Sequence, residues 1–219
     1  MAHNNDLLKN FRTTQGLWRL TAAGRFSGHR CEFGEGLLAV QWRTLGTRLV
    51  YHSPWLDVFV DDVAVADDRR IKHHVIKFPK PSVGAVVIDD DDRTLLLWRH
   101  RHITDTWGWE IPAGWGDPGE SLIDAVRREI EEETGYRAND VKQMVEYKPI
   151  AGISTMHYTT FLATDVNHLG EPTDDSESTR VEWIPLTEVP RLALAGEITD
   201  GPSLTALSYY LGVYRAATK

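Results

Sequence analysis

The sequence predicts an α/β (α+β) fold in which a mixed sheet lies between helices and is preceded by an antiparallel β element. Three observations carry this. Strand-length apolar segments recur from Trp55 onward with turn residues between them. One long breaker-free segment, Glu120 to Glu133, is bracketed by Pro118-Gly119 and Gly135. Further helical segments close the chain.

Trp55 to Ala66 and Ile71 to Phe78 alternate or run apolar in strand lengths on either side of Asp67-Asp68, which reads as an antiparallel hairpin. Ser82 to Ile88 and Thr94 to Trp98 read as a second pair around Asp89 to Asp92, whose four aspartates form a solvated turn. Trp107 to Gly119 is rich in glycine and proline. The helix that follows starts with acids in its first turn and carries Leu122, Ile123, Val126 and Ile130 on one side. It ends at Gly135, a residue suited to the left-handed C′ position. Strands are predicted at Val141 to Pro149, Tyr158 to Ala163 and, after a polar loop from Asp165 to Thr179, at Arg180 to Ile184. Leu186 to Ala195 and Pro202 to Ala217 read as helices.

The 219 residues are 42% apolar and include 8 Trp, enough to bury one core and a small accessory unit. Acids outnumber bases 32 to 24, and a net charge of −8 argues against a polyanionic nucleic acid as main partner and suits a divalent cation. The single cysteine, Cys31, rules out an intrachain disulfide framework and fits a reducing, cytoplasmic setting. No segment has the ~20 apolar residues of a spanning helix, and the first fifteen residues lack the apolar core of a secretory signal, so no membrane association is expected. Charge is uneven: up to Arg48 seven bases face three acids, a balance of +4 that leaves −12 for the rest. Residues 1–46 are therefore a separate N-terminal extension. Trp18, Phe26, Phe33 and Trp42 among its glycines favour a small docked β element over a basic arm. Residues 47–80 form the β-hairpin element and 81–219 the main domain.

Chemistry enters on the central helix. Glu129 and Glu133 are spaced i, i+4 and Glu132 is i+3 from Glu129, so three carboxylates project from neighbouring positions and repel. Glu133 falls near the apolar sector, where an unpaired carboxylate is costly to desolvate. Two readings of the helix stand: a solvated face held by Arg127 and Arg128, or a site for a hard cation. Clustered carboxylates without Cys or His nearby select Mg²⁺ or Mn²⁺ over zinc.

From Gly114 the chain reads GWGDPGESLIDAVRREIEEETGY. It matches G-x5-E-x7-R-E-U-x-E-E-x-G-U, with U a bulky apolar residue, at Gly114, Glu120, Arg128, Glu129, Ile130, Glu132, Glu133, Gly135 and Tyr136. The seven exact letters occur by chance on the order of 10⁻⁸ per window. This is the Nudix box, and the chain resembles the Nudix hydrolases. The resemblance implies an α/β/α sandwich with a mixed sheet, and hydrolysis of a nucleoside diphosphate linked to another moiety with Mg²⁺ or Mn²⁺. It makes Glu129 and Glu133 the main metal ligands and Glu132 a further or water-mediated one. Arg128 orients a glutamate, and Glu120 is secondary. Phosphoanhydride cleavage needs phosphate charge neutralised and a water activated near phosphorus, which clustered divalent ions supply.

WEIPAG at Trp109 to Gly114, preceded by Arg101 and followed by DDSESTRVEWIPL and GEITDGPSLTALSYYL, is similar to the ADP-ribose pyrophosphatase branch. That resemblance implies a metal contact from the Ala113 carbonyl, a phosphate contact from Arg101, substrate binding at Glu110, and a homodimer formed by exchange of the hairpins. It puts the catalytic base on the acidic loop before the last strand, where Glu177 is favoured for its reach and Asp175 is nearly equal; a solvated loop is the alternative. One departure is Ala151-Gly152-Ile153-Ser154 where a proline is typical, with Pro149 two residues early, so GDP-mannose and other ADP-linked compounds stay open as substrates.

Tyr51, Trp55, Phe59, Trp107 and Trp109 lie near the expected site or on the exchanged hairpin, and Trp55 is the candidate to stack a base. His100 and His102 share a strand face, where a structural or substrate-contact role outweighs half a metal site. The sequence thus predicts a Mg²⁺-dependent hydrolase of ADP-ribose or a related nucleoside diphosphate sugar. The alternatives are a hydrolase of modified nucleoside triphosphates, and a nucleotide-sugar-binding regulator without turnover.

Overall fold

The computed structural model describes residues 41–66, 68–173 and 179–218. The expected β element within 1–40, and both candidate bases, Asp175 and Glu177, lie outside the described residues. Gln41–Lys219 forms one compact unit.

Among the described residues, ten strands make three sheets. β1 (Arg43–His52), β2 (Asp57–Ala64) and β3 (Arg70–Lys77) form an antiparallel sheet in chain order. β2 and β3 are the expected hairpin, with Asp57 opposite Lys77 and Ala64 opposite Arg70. β1 was not expected: its RTLGTRLVYH is exposed throughout and offers no alternating pattern, and it starts before the boundary drawn at residue 46. It is held by pairing with β2.

A four-stranded mixed sheet runs β7–β4–β9–β8, with β4 (Ser82–Val87), β7 (Ala113–Trp115), β8 (Tyr136–Tyr147) and β9 (Tyr158–His168). β4 and β9 are parallel. A third sheet, β10–β5–β6, holds β5 (Arg93–Arg101), β6 (Thr106–Glu110) and β10 (Arg180–Pro185). This corrects two expectations. β4 and β5 enter different sheets, linked at their turn by an Ile88–Thr94 bridge, because each pairs in continuous register elsewhere: β4 with β9 and β5 with β10. The Gly/Pro-rich stretch before the helix contains β6 and β7, whose short edges pair despite poor strand composition.

Helix α1 (Leu122–Thr134) begins where the Ser121 hydroxyl accepts from the Asp124 N–H at 3.1 Å and ends at Gly135, φ 74°. A side chain at Gly135 would overlap the Gly170 carbonyl, so two constraints there demand glycine. Ile123 faces solvent, whereas Ala125, Val126 and Ile130 are buried. α2 (Val189–Leu194) and α3 (Gly201–Tyr209) follow, and α3 continues through a π turn at Tyr210–Tyr214.

Every residue of β4 is buried, and its alternation divides the core. Val83, Ala85 and Val87 pack with Leu95, Val126, Ile130 and Phe161 on the α1 side. Val86 and Ile88 pack with Leu96, Ile111, Ile198 and Leu207 on the α3 side. The result is an α/β/α sandwich. Among the described residues no helix is long and apolar enough to cross a membrane.

Candidate active site

The site forms where α1 meets β7. β7 pairs with β4, setting Gly84 opposite Ala113 and Val83 opposite Gly114, and this lays the Ala113–Gly114 backbone beneath the glutamates of the helix. The buried apolar residues Ala125, Val126 and Ile130 fix the roll of α1. Glu133, one turn farther on, is carried inward with them.

Glu133 is 3% exposed. Its carboxylate accepts from the Arg99 guanidinium and, at 2.8 Å, from the Ala113 N–H. Burial pushes its pKa up to about 7, against the pull of Arg99 and of the Ala113 N–H, and the nearby Glu129 charge adds to the rise. Glu129 rests on Gly114, where a Cβ would overlap its carboxyl group.

Arg128 organises the rest. Its Nη1 donates to Glu129 at 2.9 Å and to Glu132 at 3.0 Å, its Nη2 to the Trp115 carbonyl at 2.9 Å, and its Nε to Glu120 at 3.1 Å. These carboxylates push the Arg128 pKa up. In return Arg128, and then the Asp117 N–H, hold Glu120 below the usual carboxylate range. A planar guanidinium with five donors can serve all four partners, which a lysine cannot.

A cleft of about 600 Å³ opens over these groups, lined among others by Trp55, Lys80, Arg101, Ala113, Gly114 and Glu129. Trp55 is 69% exposed and available to a planar ligand. A second cleft of about 890 Å³ is lined by His100, His102, Glu110 and Thr199, and shares Arg99, Arg101 and Asp200 with the first. Arg101 stands between the two, and its guanidinium engages both oxygens of buried Glu110, with Nε at 2.8 Å. Glu110 therefore sets the orientation of Arg101. His100 pairs with Asp105 at 3.1 Å and packs on Trp107. Trp109 is buried against Trp98 with centroids 5.1 Å apart, a core role.

Among the described residues no three His, Cys, Asp or Glu side chains converge as a preformed metal cage. The donor set nevertheless fits a hard divalent cation. Glu129 and Glu132 share one Arg128 nitrogen, and Glu129 lies in the side-chain-free cradle of Gly114 next to Ala113. All the candidate donors there are oxygens.

Sequence reasoning missed Lys80, Ser82, Arg99, Tyr158 and Asp200, which also line the cleft. Ser82 and Tyr158 sit in strands read as core, and a polar residue on a strand buried on both faces is the signal that marks them. Tyr158 is buried, which pushes its phenol well above the usual range.

A NUDIX domain model matches residues 78–207. The CMP-5′-(N-acetyl-N-hydroxy-3-aminopropyl)phosphonate hydrolase of Streptomyces rubellomurinus is 35% identical over 170 residues, 77% of this chain and 82% of that protein. The ADP-ribose pyrophosphatase of Bacillus subtilis is 24% identical over 173 residues, 78% of this chain and 93% of that protein. In three dimensions the crystal structure of an ADP compounds hydrolase matches with TM-score 0.72 and 21% identity, covering 81% of this chain and 96% of that one.

Proposed function

Because the chain belongs to the Nudix family and is a Nudix hydrolase, we propose that it cleaves the diphosphate linkage of ADP-ribose or a related nucleoside diphosphate sugar with Mg²⁺, releasing a nucleoside monophosphate and a sugar phosphate. The observation that carries this reading is the Glu129–Arg128–Glu132 array and Glu133 against the Ala113–Gly114 backbone, beneath a cleft that also presents Lys80 and Arg101.

Glu129, Glu132, Glu133 and the Ala113 carbonyl are the groups to hold the ion. When bound, it neutralises phosphate charge and lowers the pKa of a coordinated water. Arg101, aimed by Glu110, and Lys80 meet the phosphate oxygens; Trp55 stacks the base. The attacking water gives its proton to Glu177 or Asp175, which precede β10 in the sequence. For ADP-ribose the products are AMP and ribose 5-phosphate.

A second substrate reading draws on the 35% identical relative, named for a CMP-linked phosphonate. A nucleotide joined to a phosphonate puts the same phosphorus anhydride over the same carboxylates. A hydrolase of modified nucleoside triphosphates would release pyrophosphate instead. We assign the working form as a homodimer through the β1–β3 sheet, which exposes Leu49, Val50 and Tyr51. The lone cysteine supports a cytoplasmic location.

The test incubates purified protein and Mg²⁺ with ADP-ribose, GDP-mannose, a CMP-linked phosphonate and nucleoside triphosphates, with products resolved by chromatography and phosphorus NMR. AMP and ribose 5-phosphate from ADP-ribose are expected. Turnover of the CMP-linked phosphonate alone moves the substrate to the second reading, and pyrophosphate release overturns both.

A further inference from the structure

We propose that the hydroxyls of Ser82 and Tyr158 are ligand donors, held without a protein partner so that they can bind a phosphate oxygen of the substrate at the floor of the cleft. The inference rests on the reading of the site as a diphosphate hydrolase and extends it to two residues outside the box.

Ser82 and Tyr158 are 3% and 4% exposed, and among the described residues neither side-chain oxygen has a hydrogen-bond partner. They sit side by side, because β4 and β9 are parallel and Ser82 is the register partner of Tyr158. Both line the cleft that holds Ala113, Glu129 and Arg101. The phenol lies over Gly84, whose missing side chain makes room for it; a Cβ there would overlap the hydroxyl and come within 3.2 Å of the Ala113 Cβ. Gly84 is itself opposite Ala113 across the β4–β7 pair. The phenol oxygen is therefore lodged beside the backbone that carries the box.

Buried hydroxyls almost always find partners, since an unpaired one gives up its hydration and receives nothing. Phenylalanine and alanine would fill these two places without that cost. Two orphaned donors, adjacent in one sheet and under one cleft, are matched by a ligand that brings acceptors. The proposed substrate brings phosphate oxygens, and Lys80 and Arg101 in the same cleft already oppose their charge. Neutral O–H donors add direction without adding another buried ion. Tyr158 and Ser82 act by holding the phosphate; no bond is made or broken by them.

Tyr158→Phe, Ser82→Ala and the double variant test this in the full chain. Each is compared with the parent for thermal midpoint, for kcat and KM on whichever panel substrate the parent turns over, and for calorimetric affinity toward inorganic pyrophosphate with Mg²⁺. Tyr158→Phe is expected to lower kcat/KM by about 10- to 100-fold and to weaken pyrophosphate binding in parallel, with a thermal midpoint equal to or above that of the parent. Unchanged kcat/KM and unchanged pyrophosphate affinity would overturn the assignment. So would a lower midpoint accompanying any loss, because it would reveal an internal partner such as a resident water. A parent that hydrolyses no panel member overturns the diphosphate reading alone, and the pyrophosphate titration still decides the hydroxyls.

Discussion

The carboxyl group of Glu129 rests on the Cα of Gly114, with no room between them for a methyl group. Gly114→Ala must therefore displace the glutamate or the β7 backbone, while the buried face of α1 is untouched. kcat/KM is expected to fall about 100-fold, the order of loss that an ångström of misplacement in a catalytic site produces. A thermal midpoint within a few degrees of the parent checks that the fold survives.

Arg128 satisfies Glu120, Glu129, Glu132 and the Trp115 carbonyl at once. Arg128→Lys keeps the charge and loses the fork. Its side chain is 29% exposed, so solvent screens part of the loss, and destabilisation of about 1–2 kcal/mol is expected from urea midpoints. Mg²⁺ binding should weaken without vanishing, because the carboxylates remain.

Glu133 and Arg99 form a buried ion pair. Removing the carboxylate with Glu133→Ala takes an ion-pair partner from a buried cation and an acceptor from the Ala113 N–H. A cost of about 3 kcal/mol is expected, larger than that of Glu133→Gln, which keeps an acceptor oxygen. Both variants should lose turnover. Denaturation curves rank the two, and activity assays show the shared loss.

Glu120 and Asp117 are held below their usual values of 4.5 and 3.8, by Arg128 and by Lys80 respectively. A depressed folded-state pKa contributes stability that is complete above the unfolded value and disappears as pH falls through the folded one. The urea midpoint should therefore fall on acidification below about pH 4.5. In Glu120→Gln it should be lower at pH 7, and its change between pH 6 and pH 3 smaller. Equal slopes for parent and variant would contradict this.

Glu177→Gln and Asp175→Asn separate the two candidate bases. The true base is expected to lose about 10²- to 10⁴-fold in kcat with KM little changed, and the other residue to lose little. Steady-state kinetics on one substrate decides between them.

Much of this molecule is legible in its sequence because two of its signals are local. The span of α1 follows, to within two residues at its start, from Pro118-Gly119, Gly135 and an unbroken run between them, and the box carboxylates follow from their spacing on that helix. What was illegible depends on pairing with other segments, most of them remote in the chain. β1 has no burial pattern and exists by pairing with β2. Thr94 to Trp98 looks like the return strand of a hairpin, yet Arg180 to Pro185 supplies its longer pairing. Arg99 lies just past that predicted strand, and only the tertiary fold brings it to Glu133, 34 positions away. Ser82 and Tyr158 come together at the cleft through a parallel register that no short-range pattern encodes.

The Ile111 N–H, in the loop leading to Ala113, donates to the Ser203 hydroxyl at 3.1 Å, and that hydroxyl donates to Asp200 at 2.8 Å. The motif of the hydrolase ends at Tyr136, but the loop beneath it is fastened by residues near the C-terminus. On the ribosome, then, the whole box is synthesised long before an enzyme exists. Until α3 has emerged and docked, a nascent chain carries the carboxylates without this fastening of the backbone before Ala113, and a product trimmed ahead of Asp200 would keep the motif and lose that anchor.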